Sequence, residues 1–197
     1  MSIDINLSSI RQEISQLETE HQRDVGSVSL IAVSKKKPVA DIQSAIRCGQ
    51  QHFGENYLQE AIDKIRTINN PDIFWHFIGP IQSNKTTAIA EHFHWVHTID
   101  RIKIAKRLNE ARPVDLDNLN VCIQINISGE DSKSGIHPAQ AEAFIKDLTK
   151  FEKLTVRGLM TLPAPAEEYA KQLAPFTAMQ GLLSQLKSIA PTMDTLS

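Results

Sequence analysis

The sequence predicts an α/β fold built on a parallel sheet. Three observations carry this. Short apolar stretches of strand type alternate with stretches of helical periodicity. No two strand-like stretches follow each other without a helical one between them. A return to a parallel neighbour needs a crossover, and a helix supplies it.

The elements follow in order. Ile10, Ile14 and Leu17 stand at helical spacing and predict an opening helix. Residues 29–35 form a short run of β-branched type, as a strand buried on both faces would. Pro38 marks a first helical turn, Ile42, Ala45 and Ile46 form its apolar stripe, and Gly49 closes it. His52, Phe53 and Gly54 make the second strand, and Leu58, Ala61, Ile62 and Ile65 mark its helix. Residues 74–78 are a strand, followed by the partly helical 81–91. Residues 95–99 are another, with Ile102, Ile104, Ala105 and Leu108 on the helix that follows. Residues 121–127 make a long strand, and its helix starts near Pro138 and carries Ala141, Phe144, Ile145 and Leu148. Residues 154–162 are a strand, 169–189 a helical stretch interrupted or bent near Pro175, and 192–197 the start of one more strand.

That makes about six complete units and the beginning of a seventh. An open doubly wound sheet and a closed barrel of eight units both fit the alternation. Such a barrel usually needs ~250 residues, with ~200 near the lower limit. With no low-complexity segment and no linker, 1–197 reads as a single domain.

Composition narrows the function classes. The 197 residues hold 21 Lys and Arg against 23 Asp and Glu, a formal net charge of −2. That balance carries no electrostatic footprint for nucleic acid. The 41% hydrophobic content is too high for a disordered chain. Cys48 and Cys122 stand far apart in unrelated contexts and read as reduced thiols. No signal peptide and no apolar run of about 20 residues is present. The expectation is a soluble, cytoplasmic protein with no membrane partner.

Lys35 is the most informative residue. It ends the first strand, on the side where parallel α/β folds place their active sites. A lysine forms a Schiff base only through its neutral amine, which adjacent ammonium groups (Lys36, Lys37) and a partly apolar pocket favour. From these residues alone, a solvated basic turn is the stronger reading. The stretch 79–86 has the first Gly, the Lys and the Thr of a phosphate-cradling loop. Asn84 replaces its second Gly and Pro80 removes an amide, so a nucleotide loop fails. What remains is a strand-to-helix turn able to offer amides or Asn84 to a polar ligand. His92, His94 and His97 cluster, but strand alternation separates them and only Glu91 is at hand, so no metal is expected. Asn56, His76, Asn126 and Met160 lie in or after four different strands. Each has an ordinary reading as cap, satisfied polar group or core. Together they suit a ligand face, where groups from several strand ends converge. Residues 131–135 form a polar loop that either sets Lys133 against a ligand or caps the next helix.

These segments resemble the pyridoxal 5′-phosphate (PLP) homeostasis proteins, relatives of the N-terminal barrel of alanine racemase. The matching pieces, in the family's order, are Ile31-Ala32-Val33-Ser34-Lys35, Phe53-Gly54-Glu55-Asn56-Tyr57, Trp75-His76-Phe77-Ile78-Gly79 with Gln82-Ser83-Asn84-Lys85, Val96-His97-Thr98-Ile99-Asp100, Gln124-Ile125-Asn126-Ile127-Ser128 with Lys133-Ser134-Gly135, and Arg157-Gly158-Leu159-Met160. The resemblance implies a (β/α)8 TIM-type barrel with PLP at its C-terminal mouth, held by Lys35 as an internal aldimine. It implies that Asn56, His76, Asn126 and Met160 line the cofactor. The implied role is to buffer or deliver PLP, with PLP-dependent apo-enzymes as recipients, no turnover and a monomeric chain. In alanine racemase the second acid/base group is a tyrosine from an additional C-terminal β-domain, for which this chain is too short. The family also continues past its seventh strand into phosphate-binding segments, so the implied barrel lacks its last strands here. An alanine-racemase-like enzyme acting on amino acids is the alternative, and a barrel that binds or regulates without a cofactor is the third reading.

Overall fold

The structure is a computed structural model describing residues 2–130 and 133–197. Helix and strand alternate as the periodicity requires, and the chain divides into two units, Met1–His76 and Phe77–Ser197.

The first unit begins with α1 (Ile3–Glu20). The expected apolar stripe is not what anchors it, because Ile10 and Leu17 are exposed. Leu7 and Glu18 are buried instead, with Arg11 between them on the same face. Arg11 donates to the Cys48 carbonyl at 2.6 Å and to Gln50 Oε1 at 3.0 Å. Glu18 accepts from the amides of Gly26 and Val28 at 2.9 and 2.7 Å. The helix is thus tied down by side-chain bonds to backbone, which periodicity does not register.

Next come β1 (Ala32–Val33), α2 (Val39–Arg47), β2 (His52–Glu55), α3 (Leu58–Ile68) and β3 (Phe74–Phe77). β1 is shorter than expected and is not buried on both faces, since Val33 is 49% exposed. Gln50 explains the late start. Its amide donates to the carbonyls of Leu30 and His52 at 2.7 and 2.8 Å, in place of ladder bonds. β1 and β2 run parallel, with Ala32 opposite Phe53 and Val33 opposite Gly54. The stripes of α2 and α3 bury Ile42, Ala45, Ala61 and Ile62. α2 closes at Gly49, whose φ of +76° suits glycine.

The second unit opens with a 3-10 turn (Ser83–Lys85) leading into α4 (Thr86–His92), then β4 (Trp95–Ile99), α5 (Ile102–Ala111), β5 (Leu119–Gln124), α6 (Ala141–Leu148), β6 (Leu154–Met160), α7 (Tyr169–Leu186) and β7 (Thr195–Leu196). Pro175 sits inside α7 without ending it. β4, β5, β6 and β7 pair in that order, each pair parallel. β5 is the strand buried on both faces: Val121, Cys122 and Ile123 are consecutive and each 0% exposed. It ends three residues earlier than expected, because the chain bends after Ile125 to pair with Ile136. Glycine is required at position 158, where a Cβ would stand 1.8 Å from the Thr195 carbonyl of β7. In both units the strands neighbour one another in sequence order. Strands of a (β/α) barrel neighbour one another in sequence order, and the order within each unit fits that arrangement.

Among the described residues no helix is long and apolar enough to cross a membrane. None of their His, Cys, Asp and Glu side chains form a group of three or more able to hold a metal ion.

His97 in β4 is 2% exposed, and burial pushes its imidazole down from 6.5 to about 4. Burial lowers His52 as well. With folded values below unfolded ones, the unfolded chain binds the extra proton as pH falls. Stability should therefore be full above pH 6.5 and fall progressively towards pH 4. We expect a loss of roughly 2–3 kcal/mol from His97 across that window, read by urea unfolding, and a shallower slope in His97→Gln.

Candidate functional site

The ends of β1 and β2 carry a group of the first unit's polar residues. Just past the paired Val33 and Gly54, the Ser34 hydroxyl reaches Glu55, while Lys35 and Asn56 follow at the two strand ends. The Ser34 amide donates to the Gly54 carbonyl at 2.9 Å, which confirms one further step of pairing. The chain then turns: the Lys37 amide donates to the Ser34 carbonyl at 3.0 Å. Lys36 holds φ at +60°, a region that favours glycine and costs a lysine about 1 kcal/mol. Its ammonium lies 5.9 Å from the centre of the Tyr57 ring. Lys35 occupies the turn and is exposed.

Asn56 is half-buried, and its Oδ1 is buried without a hydrogen-bond partner among the described residues. A buried acceptor in that state is costly unless a ligand or water supplies a donor.

On the helix side of the same strand ends lies a buried ammonium. Lys64 of α3 donates to the Ser34 carbonyl at 2.7 Å, to Glu55 Oε1 at 2.7 Å and to Glu60 Oε1 at 2.5 Å. Three N–H groups meet three acceptors, which offsets the cost of burying the charge. Glu55 is 0% exposed and also accepts from the Ser34 hydroxyl at 2.7 Å. Glu60 accepts from the Lys36 amide at 2.6 Å. The hydrogen bond from Lys64, foremost, holds the Glu60 carboxyl below its ordinary value.

His76 does not join this group. It is 3% exposed in β3, and its Nε2 lies 2.9 Å from Nδ1 of His52, the first residue of β2. The His52 ring in turn stacks on Phe74 at 4.9 Å. This contact faces the start of β2 rather than its end.

In the second unit, Met160 and Gln124 are the last residues of β6 and β5 and pair with each other. Met160 is 5% exposed, and its carbonyl accepts from the Ile125 amide at 2.8 Å. Asn126 follows directly. Its Nδ2 donates to the carbonyls of Glu130 and Lys133 at 2.8 and 3.3 Å, and its Oδ1 is buried with no partner among the described residues. Gly135 closes this loop at φ +119°, where a Cβ would lie 2.7 Å from the Asn126 amide nitrogen. Asp131 and Ser132 of the expected polar loop lie outside the described residues. Lys133 reaches the Leu162 carbonyl at 3.3 Å and stands 3.5 Å from Glu130. Capping of the following turn falls to His137, whose side chain accepts from the Ala139 amide while Gln140 accepts from the His137 amide. Burial pushes the Cys122 thiol up to about 12, so it carries no nucleophilic chemistry near neutral pH.

Residues 5–197 match the family described as the alanine racemase N-terminal domain. This chain belongs to that family. Within it, the pyridoxal phosphate homeostasis protein of Pasteurella multocida is 50% identical over 201 residues, covering 100% of this chain and 86% of its own length. PipY of Synechococcus elongatus, solved with PLP bound, superposes with a TM-score of 0.82 at 32% identity, over 99% of this chain and 87% of that one. Alanine racemase of Corynebacterium glutamicum shares the fold, with a TM-score of 0.62 at 22% identity, over 82% of this chain and 46% of that one. The fold is therefore the racemase-type barrel, and the resemblance read from the motifs holds.

Sequence reasoning singled out Lys35 and Asn56 but passed over Lys64, Glu55 and Glu60. The available signal was the i,i+4 spacing of Glu60 and Lys64 on a helix, which ordinarily marks an exposed pair.

Gly135→Ala should destabilise the protein by about 2 kcal/mol or more, through its positive φ and the contact with Asn126. Chemical denaturation of variant and wild type checks this.

Proposed function

We propose that this chain binds PLP through Lys35 and holds it in reserve for other proteins. What supports the reading is an exposed Lys35 just past the end of β1 and a buried, unpartnered Asn56 Oδ1 just past the end of β2, two strands that pair with each other, in a chain 50% identical to a pyridoxal phosphate homeostasis protein. PLP is an aldehyde, and a neutral amine captures it reversibly as a C=N bond with loss of water. The residues fit that group. Lys35 supplies a primary amine at a strand end, where water has access for release. Asn56 supplies an acceptor in need of a donor. Lys36, turned to the Tyr57 ring, and Lys64, with all three N–H groups engaged, are the less available amines.

A carrier needs a reversible bond and no second acid/base group at the cofactor. The relatives' name supports this reading over the racemase alternative. The same reading takes PLP-dependent apo-enzymes as recipients and the chain as a cytoplasmic monomer.

Borohydride reduction of the protein loaded with PLP, followed by peptide mass spectrometry, tests the assignment. We expect the pyridoxyl adduct on Lys35, loss of the visible absorption band in Lys35→Ala, and alanine racemisation no faster than in that variant. An adduct on Lys36, Lys37 or Lys85, or a band that survives in Lys35→Ala, would refute it.

A further inference from the structure

We propose that Glu60 and Lys64, one turn of α3, are positioning residues that set the direction of Lys35. This rests on the reading of Lys35 as the PLP-bearing residue. The two peptide groups flanking the Lys35 Cα are its link to Ser34 and its link to Lys36. The carbonyl of the first accepts from Lys64 Nζ at 2.7 Å. The N–H of the second donates to Glu60 Oε1 at 2.6 Å. Both clamps come from residues spaced i,i+4, joined to each other by an ion pair. Lys64 is itself locked, since it is 5% exposed and shares Glu55 Oε1 with the Ser34 hydroxyl.

The consequence lies in the root of a long side chain. Lys35 has four side-chain rotors and lies exposed in a turn. Its aim is set mainly by where the backbone points the Cα–Cβ bond. That backbone includes Lys36 at φ +60°, a conformation that persists only where neighbouring groups hold it. The Glu60 carboxylate is the side chain that holds the Lys36 amide. Without it, the turn relaxes and the amine spreads over a wider volume, which slows capture of an aldehyde placed at the strand ends.

Glu60 has a third of its side chain exposed, so Glu60→Ala should fold. PLP capture is followed by the rise of the visible band in the full chain, beside thermal melting of the unloaded protein. Glu60→Ala should capture PLP about tenfold more slowly at temperatures well below its melting point. Glu60→Gln keeps an acceptor for the Lys36 amide and should restore most of the rate. Lys64→Met removes the other clamp and should slow capture likewise; where it does not fold, the Glu60 pair decides. A wild-type rate in Glu60→Ala, or equal slowing in Glu60→Ala and Glu60→Gln, overturns the proposal. An adduct away from Lys35 in reduced wild-type protein overturns the underlying reading instead, whatever the Glu60 variants do.

Discussion

A buried ammonium joins three elements of the first unit. Lys64 reaches from α3 to the end of β1 through the Ser34 carbonyl and to the end of β2 through Glu55. Burying an ion pair costs several kcal/mol of hydration, and only complete hydrogen bonding and a short Coulomb distance offset it. Here every N–H of the ammonium has an acceptor, while Glu55 Oε2 on the carboxylate side is buried with no partner among the described residues. The exposed amine of Lys35 stands on the backbone this cluster secures. A carrier needs that combination. On the proposed reading of Lys35 as the residue that captures PLP, its amine must stay open to water and to the cofactor, so it cannot be held by packing around itself. It is held through its backbone.

The second unit solves a related problem with backbone rather than charge. Asn126 crosses its own loop to the carbonyls of Glu130 and Lys133, and Gly135 lets the returning chain pass against β5. Both units thus leave an asparagine oxygen buried and unpartnered just past a strand end, Asn56 in one and Asn126 in the other. Native interiors contain few such atoms. Their recurrence at strand ends, the side on which parallel α/β proteins place their ligands, is why the polar loops there read as functional and not as mere connections.

The strands were legible where apolar residues run together. The stretch 95–99 coincides with β4, and the start of β6 falls at Leu154 as expected. β1 was not, because Gln50 supplies hydrogen bonds to Leu30 and His52 that a ladder would otherwise make. α1 was placed correctly, but the residues that tie it down were not legible. Ile10 and Leu17 stand at helical spacing but are exposed, while Arg11 and Glu18 bond to backbone groups of the segments that follow. In the candidate site, Lys35 and Asn56 were legible from their positions just after apolar runs. Lys64 was not, since a lysine four residues after a glutamate is ordinarily a surface pair.

The sequence by itself determined the alternation, the parallel pairing it demands, and the family, because periodicity and contiguous motifs are local properties of the chain. Tertiary structure alone decided which charged residues went inside. Whether an ammonium is buried depends on acceptors contributed by segments 9 and 30 residues away, Glu55 and the Ser34 carbonyl. Their convergence follows from strand register and helix placement, and no local pattern encodes it. Turning His76 towards His52 is a decision of the same kind, made by the neighbouring strand and not by the one that carries the residue.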